Sequence, residues 1–296
     1  MKIDLHSLVQ RRLDWDDTFP DDLRNIWTSH FEMMQEIGKI KYRRAIVPEE
    51  AANLNISTID FGDASNKLAC AAIYARFLMK DGTFSCQLVF SRSKIVPDGL
   101  SQPRAELFAA TINVHAGEVV RRSLQSKTRV KLTDSQVVLY WITNHDKPVK
   151  QWVRNRVVEI NRYTEPSEWM YVSSKDMIAD LGTRRVDDIK LVGPESTWIN
   201  GYNWMKADVN NFPEKSLCEI NLGNEEMISL QKENILKYNQ EEVNVEEKSV
   251  YIISGINNKL PKEVQECYQF SNYLQAPNKR QFNTVIRIFG IVLKFI

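Results

Sequence analysis

Four acidic residues occur where a folded chain could bring their carboxylates together. They are Asp63 in FGDAS, Glu106 in QPRAELFAA, Asp134 in LTDSQVVLYW and Asp180 in MIADLGTR. The intervals of 43, 28 and 46 residues mean that only tertiary folding can make them one site. Neighbouring carboxylates repel one another unless cations neutralise them, and hard oxygen ligands suit magnesium or manganese. The set therefore predicts a two-metal site, with ions about 4 Å apart, for phosphodiester hydrolysis.

Each acid also has an ordinary structural explanation, which is preferable when that residue is considered alone. Asp63 could form a turn, and Glu106 could complement the dipole in the first turn of a helix. Asp134 could be a helix N-cap, and Asp180 could pair with Arg184 four residues later. The metal-site hypothesis therefore depends on the four acids acting together. No Ser–His–Asp set, Cys–His set or glycine-rich phosphate loop in the sequence offers a competing chemistry.

The apolar patterning predicts the elements that would position these acids. Three strands come first, and Asp81-Gly82 indicates a tight hairpin between the second and third. The predicted strands are 56–63, 68–79, 84–93, 128–134 and 168–174, and the predicted helices are 103–124, 135–144, 149–163 and a last one beginning at 175. This order predicts an α/β fold, a mixed five-stranded sheet of three antiparallel strands followed by β-α units, flanked by helices.

Charge and composition define the segments around this domain. We expect a helical lead-in over 1–50, the domain over 51–204, an acidic linker over 205–249 and a C-terminal segment over 250–296. Residues 103–162 carry a net charge of +6 and residues 214–248 one of −5. This contrast suggests a phosphate-facing module followed by an acidic linker, although solvated helix faces would also explain it.

Several classes of protein are disfavoured. The four cysteines form no C-x-x-C pair, so neither a zinc site nor a disulfide framework is expected. The N-terminus has no apolar signal core, and the apolar run 285–296 is shorter than the roughly 20 residues needed to cross a bilayer. We therefore expect no membrane association and an intracellular location, cytoplasmic or nuclear.

The motifs around the four acids resemble a known family. GDAS, AEL, TDSQ and ADL, in this order, resemble the Asp-Glu-Asp-Asp set of ribonuclease H. The flanks LDWDDTFPDDLRNIW, FSRSKIVPDGLSQPRAEL and WMYVSSKDMIADLGTR are similar to the ribonuclease H region of BEL/Pao-type retrotransposon polyproteins. The resemblance covers nearly the whole chain and is strongest over 56–204.

This resemblance implies a ribonuclease H-like fold and hydrolysis of the RNA strand of RNA–DNA hybrids, leaving a 3′-hydroxyl and a 5′-phosphate. It implies that Asp63, Glu106, Asp134 and Asp180 bind two Mg²⁺ ions, for which Mn²⁺ could substitute. The implied partners are the hybrid and the reverse transcriptase and integrase regions of a parent polyprotein, which could place the chain in virus-like particles.

The same resemblance implies a set of nucleic-acid contacts: Gly62, Ala64, Ser65, Arg104, Ser135, Gln136 and Lys175. The small residues beside turns have an equally good structural explanation. One position departs from the pattern of cellular ribonucleases H, which carry a histidine in the loop before the last aspartate. Here the loop reads SSKDMIAD, with Lys175 and no histidine, so we expect either slow turnover or partial substitution of the histidine by a lysine.

Two alternatives to this function remain. A 3′–5′ exonuclease of the same fold would need Asp-x-Glu on the first strand, but Ser65 stands two residues after Asp63. A catalytically inactive nucleic-acid-binding or connection module, a remnant of a polyprotein, would keep the fold without the chemistry. The presence of all four acids favours the enzyme over that module.

Overall fold

The computed structural model describes residues 1–11, 19–43, 45–126, 128–184, 188–208 and 212–213. These residues belong to one compact unit, Met1–Leu236. The predicted C-terminal segment, and the linker apart from 205–208 and 212–213, lie outside the described residues. In the described part of the chain, no helix is long and apolar enough to cross a membrane.

The centre of the fold is a five-stranded mixed sheet with the order β3-β2-β1-β4-β5. The strands are β1 (Ala51–Ala64), β2 (Leu68–Met79), β3 (Phe84–Ile95), β4 (Thr128–Thr133) and β5 (Trp169–Tyr171). The first three are antiparallel neighbours, and β4 pairs parallel with both β1 and β5. The predicted mixed sheet is therefore confirmed. Gly82 has a φ of +84° in the β2–β3 hairpin, which explains the Asp-Gly signal in the sequence.

Six α-helices are present among the described residues. They are α1 (Lys2–Gln10), α2 (Asp21–Lys39), α3 (Gln102–Leu124), α4 (Gln136–Thr143), α5 (Gln151–Tyr163) and α6 (Thr197–Asn200). Helix α3 packs on β1 and β2 through a row of alanines and on α5 from its other side. Apolar side chains of α4 and α5 form a second cluster with Leu107 and Trp169.

The face of the sheet opposite α3 is covered by segments that follow β5. Phe61, Tyr74 and Leu132 pack there with Ile178 and Met205. Phe212 belongs to the same cluster, and Arg76 donates from Nε to the carbonyl of Met205 at 3.0 Å. Core packing thus continues beyond residue 204, where the apolar periodicity of the sequence fades.

A buried ion pair joins β1, β4 and α3 inside the layer between the sheet and α3. Nζ of Lys131 lies 2.7 Å from Oδ2 of Asp60, and both side chains are 0% exposed. Asn113 donates to the backbone carbonyl of Asp60 at 3.2 Å and accepts from Lys131 at 3.4 Å. A Cβ atom at Gly117 would lie 2.3 Å from Oδ2 of Asp60, so only glycine lets α3 approach this pair.

The last predicted helix is wrong. Residues Ser174–Asp176 and Ile178–Gly182 form two short 3₁₀ turns instead of an α-helix beginning at 175. Ile178 and Ala179 are fully buried, so a single turn already uses the apolar residues that suggested a longer helix. Strand β5 is also shorter than the predicted 168–174, because only Trp169–Tyr171 pair with β4.

Candidate active site

Asp63 and Asp134 lie at the ends of neighbouring parallel strands. The register between β1 and β4 runs from Ser57↔Thr128 to Phe61↔Leu132. The same offset, continued two residues further, sets Asp63 level with Asp134. Because side chains alternate along a strand, both acids extend from the face that carries Phe61 and Leu132. Two of the four predicted acids therefore meet at the carboxyl edge of the parallel strands.

Glu106 reaches this edge from α3. The helix begins at Gln102, so Glu106 is its fifth residue, and its predicted place in the first turn is wrong. The Gln102 amide donates to the carbonyl of Ala64 at 2.8 Å and to Oε1 of Glu106 at 3.1 Å. This amide joins the end of β1 to the start of α3 and holds the Glu106 carboxylate beside the strand end.

Asp180 approaches from the 3₁₀ turn Ile178–Gly182. The Thr183 hydroxyl lies 3.0 Å from Oδ2 of Asp63 and 3.4 Å from Oδ1 of Asp180, so one oxygen spans both carboxylates. Arg184 also donates from Nε to Oδ1 of Asp180 at 2.6 Å. The predicted ion pair between Asp180 and Arg184 is thus present. Asp180 is also linked to Asp63, because the Thr183 hydroxyl contacts both carboxylates.

The carboxylates are buried and repel one another. Burial raises the pKa of Asp63 to about 6, and the charges of Asp134 and Asp180 raise it further. Burial likewise raises the pKa of Glu106 to about 7, although hydrogen bonds from Ser135 and Gln102 lower it in part. The pKa of Asp134 is also raised, first by burial and also by the charge of Asp180. All four predicted acids therefore belong to one electrostatically coupled cluster.

The raised pKa values predict that the metal-free protein loses stability as the pH rises from about 4 to about 7. A carboxyl group whose pKa is raised by folding binds its proton more tightly in the folded state, so deprotonation favours unfolding. At about 1.4 kcal/mol for each pKa unit, we expect the free energy of unfolding in EDTA to be about 1–4 kcal/mol lower at pH 8 than at pH 5. Urea denaturation at the two pH values measures this difference.

The matched control is the double variant Asp63→Asn, Glu106→Gln, which removes both titrating groups while keeping their size. Its stability should depend much less on pH over the same interval. A wild-type protein whose free energy of unfolding is the same at pH 5 and pH 8 would contradict the coupled cluster.

The donor set fits a hard divalent cation in its chemistry. Buried carboxylates with raised pKa values, here Asp63, Glu106 and Asp134, gain most from a cation, and carboxylate oxygens are the ligands that Mg²⁺ and Mn²⁺ prefer. Among the described residues, however, no three His, Cys, Asp or Glu side chains are arranged closely enough to hold a metal. Cation binding would therefore require some carboxylates to exchange their present hydrogen bonds.

Those bonds come from small hydroxyl groups, from the Gln102 amide and from one arginine. Ser174 donates to Oδ2 of Asp134 at 2.7 Å, while Thr183 and Arg184 contact Asp63 and Asp180 as described. Sequence reasoning missed Gln102, Ser174 and Thr183 as supports of the acids. The position of Gln102 four residues before Glu106 is a signal that could have indicated its role.

Ser135, rather than Asp134, is the N-cap of α4. Its hydroxyl accepts a hydrogen bond from the amide of Val138 at 3.3 Å, so the N-cap explanation of Asp134 is wrong. The Asp134 carboxylate is thereby left to face the other acids. Ser135 also contacts Glu106, which places this predicted nucleic-acid contact inside the acidic cluster.

The other predicted nucleic-acid contacts fall into two groups. Gly62 and Ala64 are buried, and a Cβ atom at Gly62 would lie 3.0 Å from Cβ of Asn113. Ser65 closes the β1–β2 turn, where its hydroxyl accepts from the amide of Leu68 at 3.0 Å. These three residues shape the strand end, and a direct contact with nucleic acid stays a prediction for them.

The polar contacts of the second group lie around the acids. Lys175 is exposed in the turn that carries Ser174. The Arg104 guanidinium lies 5.5 Å from the centre of the Trp152 ring, which also carries Arg156 at 4.0 Å. Gln136 begins α4, and its Oε1 is buried without a hydrogen-bond partner. Their role in binding also stays a prediction.

The sheet order and the acids at its carboxyl edge define a ribonuclease H-like domain. Residues 1–135 match the model of the family described as the Pao retrotransposon-like RNaseH-like domain. The matched part includes the lead-in together with Asp63, Glu106 and Asp134. The resemblance seen in the sequence motifs is thus confirmed.

Solved structures give weaker similarities. RNase H1 from the halophilic archaeon Halobacterium salinarum NRC-1 is 14% identical over 42% of this chain and 90% of its own, with a TM-score of 0.29. The N-terminal RNase H domain of a Mycobacterium tuberculosis protein, solved as a fusion with maltose binding protein, is 11% identical over 44% of this chain and 94% of its own, with a TM-score of 0.30. No curated protein matches the chain.

Proposed function

We propose that this chain is a ribonuclease H that hydrolyses the RNA strand of RNA–DNA hybrids with two Mg²⁺ ions. The observation that carries the proposal is the convergence of Asp63, Glu106, Asp134 and Asp180 into one cluster, in which burial raises the pKa of the first three. Mutual repulsion of this kind is expected where a protein prepares a site for cations. The match of residues 1–135 to the model of an RNaseH-like family supports the same function.

Each acid has a distinct structural part in this proposal. Asp63 and Asp134 stand on adjacent strand ends and would bind the cations from the sheet. Glu106 and Asp180 would bind them from α3 and from the 3₁₀ turn. Divalent cations, when bound, would neutralise the carboxylates, lower the pKa of an attacking water and stabilise the leaving oxygen.

The residues around the acids would orient the substrate. Arg104, Trp152 and Arg156 form a cationic and aromatic group on α3 and α5, and Arg104 stands two residues before Glu106. Cationic side chains neutralise phosphates, and 2′-hydroxyl contacts distinguish the RNA strand from DNA. Ser174 and Thr183, which hydrogen-bond to Asp134 and Asp63, would position these carboxylates for the cations.

The proposal predicts Mg²⁺-dependent cleavage of a hybrid whose RNA strand carries a 5′-fluorophore. Shorter RNA products with 3′-hydroxyl ends should appear with Mg²⁺ or Mn²⁺ and be absent in EDTA, because the carboxylates alone cannot activate water. Single-stranded RNA and a DNA duplex of the same sequence are the substrate controls and should remain intact. Denaturing gel electrophoresis resolves the products.

A non-cleaving nucleic-acid-binding module is the second candidate. Two observations favour it: no three potential ligands among the described side chains are arranged to hold a metal, and Arg184 already pairs with Asp180. Binding of the hybrid by a folded protein, without cleavage in either Mg²⁺ or Mn²⁺, would establish this module and refute the enzyme.

A further inference from the structure

One row of residues runs across the sheet from the acidic cluster to its outer strand. Asp63 on β1 pairs with Cys70 on β2, and Cys70 pairs with Ser93 on β3. Neighbouring strands lie about 4.8 Å apart, so the row carries the backbone about 10 Å from Asp63 to Ser93. The outer end of the row is therefore close enough to contact a ligand that also contacts the acids.

Three cations gather at that outer end. Arg92 and Lys94 stand on either side of Ser93. They pair with Ala71 and Ala69, so they extend from the α3 side of the sheet, the side from which Glu106 approaches and opposite to the face of Asp63. Lys2, on α1, donates from Nζ to the carbonyl of Ser93. The lead-in helix thus adds a positive charge to the edge of the domain, and we call these three residues the β3 cationic cluster.

The electrostatics agree with this placement. Burial lowers the pKa of Lys94, and the charges of Arg92 and Lys2 lower it further, while Glu159 acts in the opposite direction. Burial and Arg92 lower the pKa of Lys2 in the same way. The three cations are therefore close enough to repel one another, as the acids do at the other end of the row.

The cluster also lacks paired carboxylates. Within the part of the chain that the structure describes, Lys2 bonds only to a backbone carbonyl, and neither Arg92 nor Lys94 makes an ion pair. By contrast, Glu118 near the end of α3 pairs with Arg121 and Arg122 of the same helix and with Arg129 of β4. Glu159 is near enough to act on Lys94 but forms no ion pair with it. Repelling cations that lack a carboxylate in direct contact gain free energy when an anion binds between them.

We propose that Lys2, Arg92 and Lys94 form a binding site for backbone phosphates of the nucleic acid that occupies the acidic cluster. The inference rests on the proposed function for the choice of ligand. The row of about 10 Å places the contacted phosphates within a few nucleotides of the one at the acids. The lead-in helix is then part of the substrate-binding surface.

Salt dependence of hybrid binding tests the site. Affinity is measured by fluorescence anisotropy between 50 and 200 mM KCl, in an Asp134→Asn background that prevents cleavage. Each phosphate contact contributes about 0.9 to the slope of log K against log salt concentration. The double variant Arg92→Gln, Lys94→Gln should therefore lower the magnitude of the slope by up to about 2, and Lys2→Gln should lower it by up to about 1.

Lys80→Gln is the matched control. Lys80 lies at the opposite end of the β2–β3 hairpin, is exposed and pairs with Glu50 at 3.3 Å. For Lys80→Gln, the slope of log K against log salt concentration should equal that of the Asp134→Asn parent. Circular dichroism melting of every variant checks that it is folded. A DNA duplex should show the same loss of slope in the double variant, because phosphate contacts carry no sequence information.

Three results would overturn the site. They are a slope unchanged in the double variant, an equal loss in Lys80→Gln, and no hybrid binding by the parent at any salt concentration.

A synthetic peptide of residues 214–248, with its net charge of −5, tests the chain's own acidic segment as the occupant. Peptide binding that the double variant loses, with hybrid slopes unchanged, would assign the cluster to that segment. Absence of cleavage by the wild-type protein would refute the proposed enzyme without altering these slopes.

Discussion

Replacement of Lys131 by methionine is expected to lower the free energy of unfolding by about 3–5 kcal/mol. The Asp60 carboxylate, 0% exposed, would then remain inside the protein without its cation. Its Oδ1 atom already has no hydrogen-bond partner, so the remaining contacts cannot compensate for the lost charge. Methionine keeps most of the length of the lysine side chain, so the loss reflects charge more than cavity formation.

The consequences extend to the acids because the pair joins the elements that carry them. Asp60 and Lys131 each stand three residues before an acid of the cluster, Asp63 and Asp134. Asn113, which bonds to both, lies seven residues after Glu106, two turns along α3. The buried network thus fixes the relative positions of β1, β4 and α3 one layer below the site.

Urea denaturation of single and double variants measures this effect. Asp60→Asn, Lys131→Met removes both charges and should recover at least half of the stability lost in Lys131→Met, since replacing a whole buried pair is much less costly than breaking it. Lys80→Met is the control, because its exposed pair with Glu50 is worth at most about 1 kcal/mol. A loss in Lys131→Met no larger than in Lys80→Met would show that the pair is not buried in solution.

Replacement of Asp134 by asparagine is expected to lower hybrid cleavage about 1000-fold or more. The change removes one of two carboxylates at adjacent strand ends, and a transition-state stabiliser of this kind contributes about 10²–10³ in rate even when it is a neutral donor. Asparagine keeps the size of the side chain and its hydrogen bond from Ser174. The fold should therefore be preserved, with a melting temperature in EDTA equal to or above that of the wild type.

The control for this variant is Asp81→Asn in the β2–β3 hairpin. Asp81 accepts from the amide of Thr83 at 2.9 Å, and asparagine can replace it in such a turn. Its cleavage rate should match the wild type. Cleavage by Asp134→Asn within about tenfold of the wild-type rate would assign the hydrolysis to residues other than the four acids.

The sequence predicted the sheet well because its signals are local. Alternation in ISTIDFGD, the Asp81-Gly82 turn and the helical stripe after Pro103 each depend on residues close in the chain. The 3₁₀ turns at 174–182 were predicted as a helix, since a short apolar run has the same pattern in both. Only packing against the sheet decides whether such a run forms a single 3₁₀ turn or a longer α-helix.

The four acids themselves were determined by the sequence, through their motifs and their places at predicted strand ends and helix starts. Only the tertiary structure decided how they are held. The bonds from Ser174 and Thr183, the bridge through Gln102 and the ion pair between Asp60 and Lys131 join residues from different elements. Such contacts depend on strand register and on how closely α3 approaches the sheet, and no local pattern encodes either. The raised pKa values of Asp63 and Glu106 are also decided by the tertiary structure. They result from burial, and burial depends on every segment that covers these two side chains.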